Sequence, residues 1–346
     1  MKKRLSIINL IIIKKGWVFG VVFFTFLLTA CEKKEKAYIL PDRPADSVRI
    51  TQVNLGENYE NQLFINFLDS NAVASAVKYD SWDLSFDCNP SGFHVYMNGG
   101  KGNLVASLCY SAFKTNVNLN LLKWRWDEPG GGDSLALIHW CNPVLYLSYD
   151  SVYVIDRGTD CEPEKRYYEF KLGYIDYSTY SIEIADINGK KLSTTVIAKD
   201  PAKNLVYFDF GTQTLLNFEP DNLSWHFCFL RYRYIYYQFS PPLLYYVTGI
   251  NINPKTICVS VDSSLQFENI KLADIANLNY SNHRDVMGFD WKVYDFNRGK
   301  YIARKYVNYL IKTKGPNPQF YKLRFTDFYS KKGLKGSPKY EIARVK

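Results

Sequence analysis

The chain of 346 residues is long enough for two domains of ordinary size, and its 47% hydrophobic content is sufficient for packed cores. Charged residues make up 22%, which argues against a disordered protein. No HExxH, GxSxG, GxxxxGKS/T or CxxC motif occurs, so no motif indicates a zinc protease, a serine hydrolase, a P-loop NTPase or a zinc ribbon. Aromatic residues reach 16%, and they favour half-buried β-strands.

The N-terminal segment has the pattern of an export signal. Basic residues precede an apolar stretch, residues 16–30, that runs without a charge. This stretch is shorter than the ~20 residues of a membrane-spanning helix, and it fits the apolar region of a secretory signal. It ends in Leu28-Thr29-Ala30-Cys31, which resembles the lipobox of bacterial lipoproteins. We therefore expect cleavage before Cys31 and lipidation of this cysteine; a signal anchor that stays uncut is the alternative.

Removal of this leader changes the interpretation of the charge. Residues 1–30 carry five basic and no acidic side chains, which leaves a formal net charge of about +4. This excess is too small to indicate nucleic acid binding. Residues 31–45 mix both charges with prolines and are expected to form an extended, lipidated tether. Six cysteines follow Cys31 and permit disulfides in an exported protein, whereas Cys228 is expected to be a buried free thiol in an apolar strand.

An internal duplication organises the rest of the chain. Residues 61–67 and 81–86 correspond to residues 204–210 and 224–229, both at an offset of 143. Several positions are identical without a gap, including the tryptophan pair Trp82 and Trp225, which therefore marks the same position in each copy.

The ends of the two halves also match. Residues 171–177 resemble residues 322–328, where the offset has grown to 151. We therefore predict two related domains, residues 46–188 and residues 189–346. This period is too long for a solenoid repeat and fits two homologous domains of ordinary size.

The repeated segments have the patterns of strands. Residues 63–67 form a short apolar run, and residues 231–237 alternate tyrosines on one face with two arginines and an isoleucine on the other. Asn188-Gly189, between two apolar segments, predicts a tight hairpin. No long helical period occurs. The sequence therefore predicts an all-β protein with two related antiparallel β domains and little helix.

The chain resembles the HmuY family of Bacteroidetes lipoproteins. Besides the lipobox, the segments that carry the resemblance are residues 81–86, 93–98, 207–210, 223–225, 231–234, 321–329 and 335–336. The resemblance covers nearly all of the expected mature chain. It implies an HmuY-like β fold in each half and a lipoprotein of the outer membrane, facing the cell surface or the periplasm. It also implies haem as a cofactor and a TonB-dependent receptor as a partner, because known members capture haem and deliver it to such receptors.

Known haem binders of this family hold the iron between two axial His or Met side chains on loops in the latter part of the domain. The resemblance places His283 and Met287 in the first of these loops and Tyr294 in the second, which has no His or Met. His283 and Met287 are too close in sequence to reach opposite faces of one haem easily, so at most one of them would ligate through this loop. The alternative is that His283 is a solvent-facing turn residue and Met287 a core residue. No metal other than haem iron is expected.

A second candidate surface contains Trp124 and Trp126, which lie on one face of a predicted strand before a Gly-rich loop. Exposed indoles stack on sugars or anchor partner proteins, whereas core packing is the alternative. Two functions follow from the sequence. One is haem capture at the outer membrane, and the other is a non-enzymatic envelope binding or scaffold lipoprotein that lost haem and binds a glycan or a protein. No paired carboxylates or nucleophile–base set indicates an enzyme.

Overall fold

The computed structural model describes residues 47–346. They form an almost entirely β structure of 22 strands, and the one α-helix in this range, α1, is four residues long (Leu272–Ile275). The predicted all-β fold with little helix is therefore confirmed. The predicted signal peptide (1–30), the tether (31–45) and the lipidation site Cys31 lie outside the described residues. No helix within the described range is long and apolar enough to cross a membrane.

The strands are mostly short and follow one another with few intervening elements. The first eleven are β1 (Arg49–Gln52), β2 (Asn61–Ile65), β3 (Val73–Lys78), β4 (Leu84–Asp87), β5 (Val95–Met97), β6 (Leu104–Ser107), β7 (Cys141–Asn142), β8 (Leu147–Ser148), β9 (Val152–Asp156), β10 (Tyr167–Asp176) and β11 (Thr179–Asp186). The other eleven are β12 (Lys191–Ala198), β13 (Leu205–Asp209), β14 (Thr214–Leu216), β15 (Phe227–Tyr236), β16 (Leu243–Ile252), β17 (Ile257–Asp262), β18 (Lys292–Asp295), β19 (Lys300–Ala303), β20 (Asn308–Thr313), β21 (Phe320–Tyr329) and β22 (Lys335–Val345).

These strands form four larger antiparallel sheets. Sheet I has the order β1-β22-β21-β20-β17, and sheet II has the order β16-β15-β2-β3. Sheet III has the order β12-β11-β10-β9-β6, and sheet IV has the order β14-β13-β4-β5. The hairpins β7–β8 and β18–β19 form two further two-stranded sheets. Antiparallel sheets of this kind bury one face and leave the other for solvent or a second layer, which fits the alternating sequence pattern.

The sheets enclose two hydrophobic cores. Sheets I and II contribute to the first core, which contains the fully buried Trp291. Sheets III and IV contribute to the second core, which contains the fully buried Trp140. Each core combines segments from before and after residue 189. The first core includes Leu63 with Phe227, and the second includes Leu84 with Phe208.

β2 and β13 each pair with a strand from the other half of the chain, which explains how the cores combine these segments. Ile65 of β2 pairs with Phe227 of β15, and Phe208 of β13 pairs with Leu84 of β4. Ile65 and Phe208 lie 143 positions apart, as do Leu84 and Phe227. The second strand of each proposed copy, β2 or β13, therefore pairs with the fourth strand of the other copy, β15 or β4, in the same register both times. The predicted boundaries of the two domains stay a prediction.

Two local predictions can be compared directly with the structure. Gly189 has a φ of +79° in the turn between β11 and β12, so Asn188-Gly189 forms the hairpin that the sequence predicts. Cys228 is a buried free thiol, as predicted, and the other five cysteines in residues 47–346 are also free. The core packing described above therefore stands without a disulfide among these residues.

Candidate functional site

The β15–β16 hairpin carries a tyrosine face that is buried at Tyr232 and half-buried or exposed on its outer half. Tyr232, Tyr234 and Tyr236 of β15 alternate with residues of the opposite face, as the sequence predicts, and Tyr234 pairs with Tyr245 of β16. Directly opposed residues of antiparallel strands project from the same face, so Tyr245 belongs to the tyrosine face. Tyr245 is 47% exposed. An exposed row of aromatic rings beyond the edge of a core is a typical binding surface.

Phe289 packs against this tyrosine face. Its ring centroid lies 4.7 Å from that of Tyr234 and 6.4 Å from those of Tyr232 and Tyr236. The segment before Phe289 is fixed to β16, because the backbone N–H of Ile250 donates to the carbonyl oxygen of Gly288 at 3.0 Å. The rings are therefore held in place by backbone hydrogen bonds rather than by side-chain packing alone.

A cleft of about 580 Å³ opens beside these rings. We call it the tyrosine cleft. Its aromatic lining residues are Tyr232, Tyr234, Phe289, Tyr306 and Tyr309. Its polar lining residues are Asp262, Ser263, Asp285, Asp290 and Arg304. Aromatic walls with a few converging polar groups are the usual composition of a ligand site.

The base and the rim of the cleft differ in exposure and charge. Tyr232 and Tyr309 are buried, whereas Tyr306 is 60% exposed. Burial, reinforced by the carboxylates of Asp285 and Asp290, raises the pKa of Tyr232 well above its usual value, so its hydroxyl stays protonated. Three carboxylates and one guanidinium line the cleft. The site therefore offers aromatic surface, hydroxyl groups and carboxylate acceptors, with a negative formal charge.

The structure separates the three residues predicted to bind haem. The His283 side chain is 78% exposed, and its Nδ1 lies 3.9 Å from Oδ1 of Asp285. Met287 is buried in the first core and also lines the tyrosine cleft. Tyr294 lies on β18, where its ring contacts Phe296 at a centroid distance of 5.1 Å. Neither His283 nor Tyr294 is among the residues that line the cleft.

We compared the donors of the tyrosine cleft with those that a haem needs. Met287 is the one His or Met side chain among its lining residues, so no second such donor faces it across the cleft. Three aspartates beside one arginine are also unfavourable for the two propionates of a haem. In residues 47–346, no group of three or more His, Cys, Asp or Glu side chains is placed to hold a metal ion. The cleft therefore does not fit a haem with two His or Met ligands.

Trp126 lies beside Arg233, which projects from the face of β15 opposite to the tyrosines, and Trp124 precedes Trp126 by two residues. Both indoles are half-buried. Trp126 packs against the second core, and the Cζ of Arg233 lies 5.8 Å from its ring centroid. Trp124 lies 6.4 Å from the ring of Tyr167. The two indoles therefore contact the protein itself, and the exposed aromatic surface lies on the tyrosine face instead.

Sequence reasoning found the tyrosine alternation in β15 but not the cleft. The missing residues come from three other segments, namely Asp262 at the end of β17, Phe289 in a loop and Tyr306 before β20. These segments lie far apart in the sequence and share no motif. The alternating tyrosines of β15 could have indicated one wall of the cleft. The opposite wall could not be predicted, because it depends on how the strands of sheet I pack against β15.

Comparison with known proteins gives little further information. No protein-family model matches the chain, and no curated protein matches it. A solved structure described as a putative HmuY-like haem-binding protein from Bacteroides vulgatus matches 40% of this chain and 83% of its own length. The identity is 13% and the TM-score is 0.19. A TM-score of this size does not establish a shared fold.

Proposed function

We propose that this protein is a non-enzymatic binding protein of the bacterial envelope that takes a neutral glycan in the tyrosine cleft. The observation that carries the proposal is the set of rings on the cleft wall, with Tyr234 and Tyr306 accessible next to carboxylates. A sugar ring has an apolar C–H face and a rim of hydroxyl groups. Its apolar face matches an aromatic ring, and its hydroxyl groups match carboxylate and tyrosine oxygens.

The charges of the cleft favour a neutral ligand over an anionic one. Asp262, Asp285 and Asp290 accept hydrogen bonds from hydroxyl groups, and Arg304 donates to them. Ser263 is exposed at the rim and both donates and accepts. An acidic polysaccharide would meet a net negative formal charge, which costs binding free energy. A neutral oligosaccharide avoids this repulsion.

The proposed location is the outer membrane, with a lipid anchor on Cys31. The sequence supports this location, because an apolar stretch without charges ends at the lipobox-like Leu28-Thr29-Ala30-Cys31. Residues 31–45 would then connect the anchor to the β structure that begins with β1.

Calorimetric titration with neutral oligosaccharides of glucose, mannose and xylose tests the proposed function. We expect saturable binding of at least one of them. Replacing an accessible ring of the cleft, in Tyr234→Ala or Tyr306→Ala, is expected to weaken that binding about tenfold. The matched control is Tyr177→Ala, which removes a tyrosine that is 65% exposed in the turn between β10 and β11. This control is expected to bind like the unchanged protein.

Haem capture for a TonB-dependent receptor, which the family resemblance implies, is the function that would displace this proposal. Haemin titration of the same protein distinguishes the two functions. A stoichiometric, red-shifted Soret band that is lost in His283→Ala or Met287→Leu, together with no binding of any oligosaccharide, would contradict glycan binding. Oligosaccharide binding that depends on Tyr234 and Tyr306, with a haemin spectrum no different from that with an unrelated protein, would support it.

A further inference from the structure

A second cavity lies between sheets II and IV. Its volume is about 210 Å³. Strand alternation creates it, because the face of each sheet that does not enter a core lines the cavity. In β4, Leu84 and Phe86 enter the second core while Ser85 between them lines the cavity. Phe64 of β2 and Tyr207 of β13 line it in the same way. We call this space the inter-sheet cavity.

Three buried polar side chains that line this cavity have no hydrogen-bond partner in residues 47–346. They are Ser85 through Oγ, Trp225 through Nε1 and Asn251 through Oδ1. These residues are 0%, 6% and 7% exposed, respectively. An unsatisfied buried polar group costs about 1–3 kcal/mol, and proteins rarely retain one without a reason. The Ser85 hydroxyl and the Trp225 indole N–H can donate to a polar ligand, whereas Oδ1 of Asn251 can only accept.

The two corresponding tryptophans show why one of these donors is unsatisfied. Both Trp82 and Trp225 line the cavity. The Nε1 of Trp82 donates to Oε1 of Gln62 at 3.2 Å. The residue 143 positions after Gln62 is Leu205, which has no acceptor in its side chain. The indole N–H of Trp225 therefore remains without an acceptor from the neighbouring strand.

Arg284 supplies a positive charge to the same cavity. Its guanidinium carbon lies 4.4 Å from the ring centroid of Tyr96, which also lines the cavity. In residues 47–346, no ion pair joins Arg284 to a carboxylate. Glu219 interacts with Arg284 electrostatically but forms no ion pair with it. A half-buried guanidinium outside any ion pair is a strong donor for an anion, and its planar fork matches a carboxylate in two hydrogen bonds.

The buried carboxylates that line the cavity, Asp87, Asp127 and Glu219, already have their own donors. The carboxylate of Glu219 accepts from the backbone N–H of Asn204 at 3.0 Å and from the hydroxyl of Tyr207 at 2.9 Å. Burial raises the pKa of Glu219 to about 7, which reduces its negative charge near neutral pH. Glu219 is therefore a weak competitor of a ligand carboxylate for Arg284.

We propose that the inter-sheet cavity is a binding site for a small organic carboxylate with an aromatic or branched apolar part. The carboxylate would accept hydrogen bonds from Arg284, with Ser85 and Trp225 as further donors. The apolar part would pack against rings such as Phe64 and Tyr207. This chemistry follows from the Arg284 guanidinium, two neutral donors and aromatic walls in a small volume, with Arg231 and Lys255 as further cations of the lining. The inter-sheet cavity shares Pro129 and Tyr232 with the lining of the tyrosine cleft, but the groups proposed to bind the carboxylate line the inter-sheet cavity alone.

Titration with sodium benzoate and sodium phenylacetate at pH 7, followed by calorimetry and tryptophan fluorescence, tests the proposal. Trp82 and Trp225 line the cavity, so binding is expected to change the fluorescence. Arg284→Gln is expected to weaken binding at least tenfold. The matched control is Arg298→Gln, because the Arg298 side chain is 68% exposed on the β18–β19 turn. This control is expected to leave the affinity unchanged.

Ser85→Ala is a second test variant. The Ser85 hydroxyl has no hydrogen-bond partner in residues 47–346, so its removal breaks no hydrogen bond of the fold. The variant is expected to fold normally and to bind benzoate several-fold more weakly. Benzamide, a neutral analogue of benzoate, is expected not to bind. Absence of saturable benzoate and phenylacetate binding up to 10 mM, equal binding of benzamide, or unchanged affinity in Arg284→Gln would each overturn the proposal. Benzoate binding that persists in Tyr234→Ala would support a site separate from the tyrosine cleft.

Discussion

Trp82 and Trp225 pack edge-on against aromatic rings on strands from opposite halves of the chain. The Trp82 ring lies 5.1 Å from that of Tyr207 at an interplanar angle of 80°, and the Trp225 ring lies 4.9 Å from that of Phe64 at 86°. Tyr207 and Phe64 are themselves 143 positions apart. The same edge-on contact is therefore made twice, each time between the tryptophan of one half and an aromatic ring of the other half.

The residue after each tryptophan differs between the two halves, since Asp83 follows Trp82 and His226 follows Trp225. Asp83 is fully buried and accepts from Nζ of Lys101 at 2.6 Å and from Nε of Arg157 at 2.8 Å. Asp83→Asn would leave two buried cations without this partner, so we expect it to reduce the free energy of unfolding by about 3–5 kcal/mol. Urea denaturation followed by tryptophan fluorescence measures the change. In contrast, Glu183→Gln, which breaks an exposed pair with Lys191, is expected to cost less than about 1 kcal/mol.

A loss below about 1 kcal/mol for Asp83→Asn would show that the neighbouring Asp209 compensates for the missing charge. Asp209 already accepts from Nη2 of Arg157 at 2.7 Å. Asp209→Asn in the Asp83→Asn background separates the two contributions, because the second substitution removes the remaining carboxylate. We expect the two substitutions to be non-additive, since they share Arg157.

Asn98 and Asn253 hold the two tryptophan loops in the same way. The amide of Asn98 donates to the carbonyl oxygens of Tyr79 at 2.6 Å and of Trp82 at 2.8 Å. The amide of Asn253 donates to those of Asn222 at 2.7 Å and of Trp225 at 3.0 Å. Asn98→Ala removes the amide donor of the Tyr79 and Trp82 carbonyl groups, and Asn253→Ala removes that of Asn222, while the Trp225 carbonyl still accepts from the Thr256 hydroxyl at 2.9 Å. We therefore expect each change to lower stability by about 1–3 kcal/mol. Thermal unfolding of both variants checks this prediction, and an effect confined to one of them would contradict it.

The duplication predicted which positions correspond but not which strands pair. An offset of 143 is equally compatible with β2 pairing inside its own half and with β2 pairing with β15. Both arrangements place the same residue types opposite each other, since the two halves have similar apolar patterns. The choice depends on packing between sheets and on connection lengths, which a residue pattern does not contain. The fold class could be predicted, because the aromatic content and the alternating pattern that favour β-strands are properties of short sequence segments.

The candidate sites were less predictable than the fold. His283 and Met287 are close in sequence, but the first is exposed and the second is buried in the first core. Arg284, between them, was not singled out, because its role depends on a cavity formed by two distant sheets. A sequence shows residue types that bind ligands, whereas a site also requires their convergence from separate elements.

His226 makes stability depend on pH. It is buried against Phe67, with a ring-centroid distance of 4.0 Å, and burial lowers its pKa from 6.5 to about 4. The unfolded state therefore binds more protons between pH 6.5 and pH 4, so stability falls as the pH falls through this window. We expect this histidine to account for a loss on the order of 3 kcal/mol by pH 4.

Chemical denaturation at several pH values, for the unchanged protein and for His226→Leu, isolates this contribution from that of the acidic residues. The difference in stability between the two proteins is expected to change steadily between pH 6.5 and pH 4, in favour of His226→Leu at low pH. A difference that is constant over this range would mean that the His226 ring is protonated in the folded state as readily as in the unfolded state.

Gly249 sets the position of the ring at the base of the tyrosine cleft. A Cβ atom at this position would clash with the ring and the hydroxyl group of Tyr232, so Gly249→Ala must displace the Tyr232 ring. We expect a loss of about 1–3 kcal/mol in stability from this overpacking and weaker binding in the cleft. In a Tyr232→Leu background the obstructing ring is absent, so the additional cost of Gly249→Ala is expected to disappear. Urea denaturation of the four proteins in this cycle measures the coupling, and an equal cost of Gly249→Ala in both backgrounds would show that the glycine is needed for another reason.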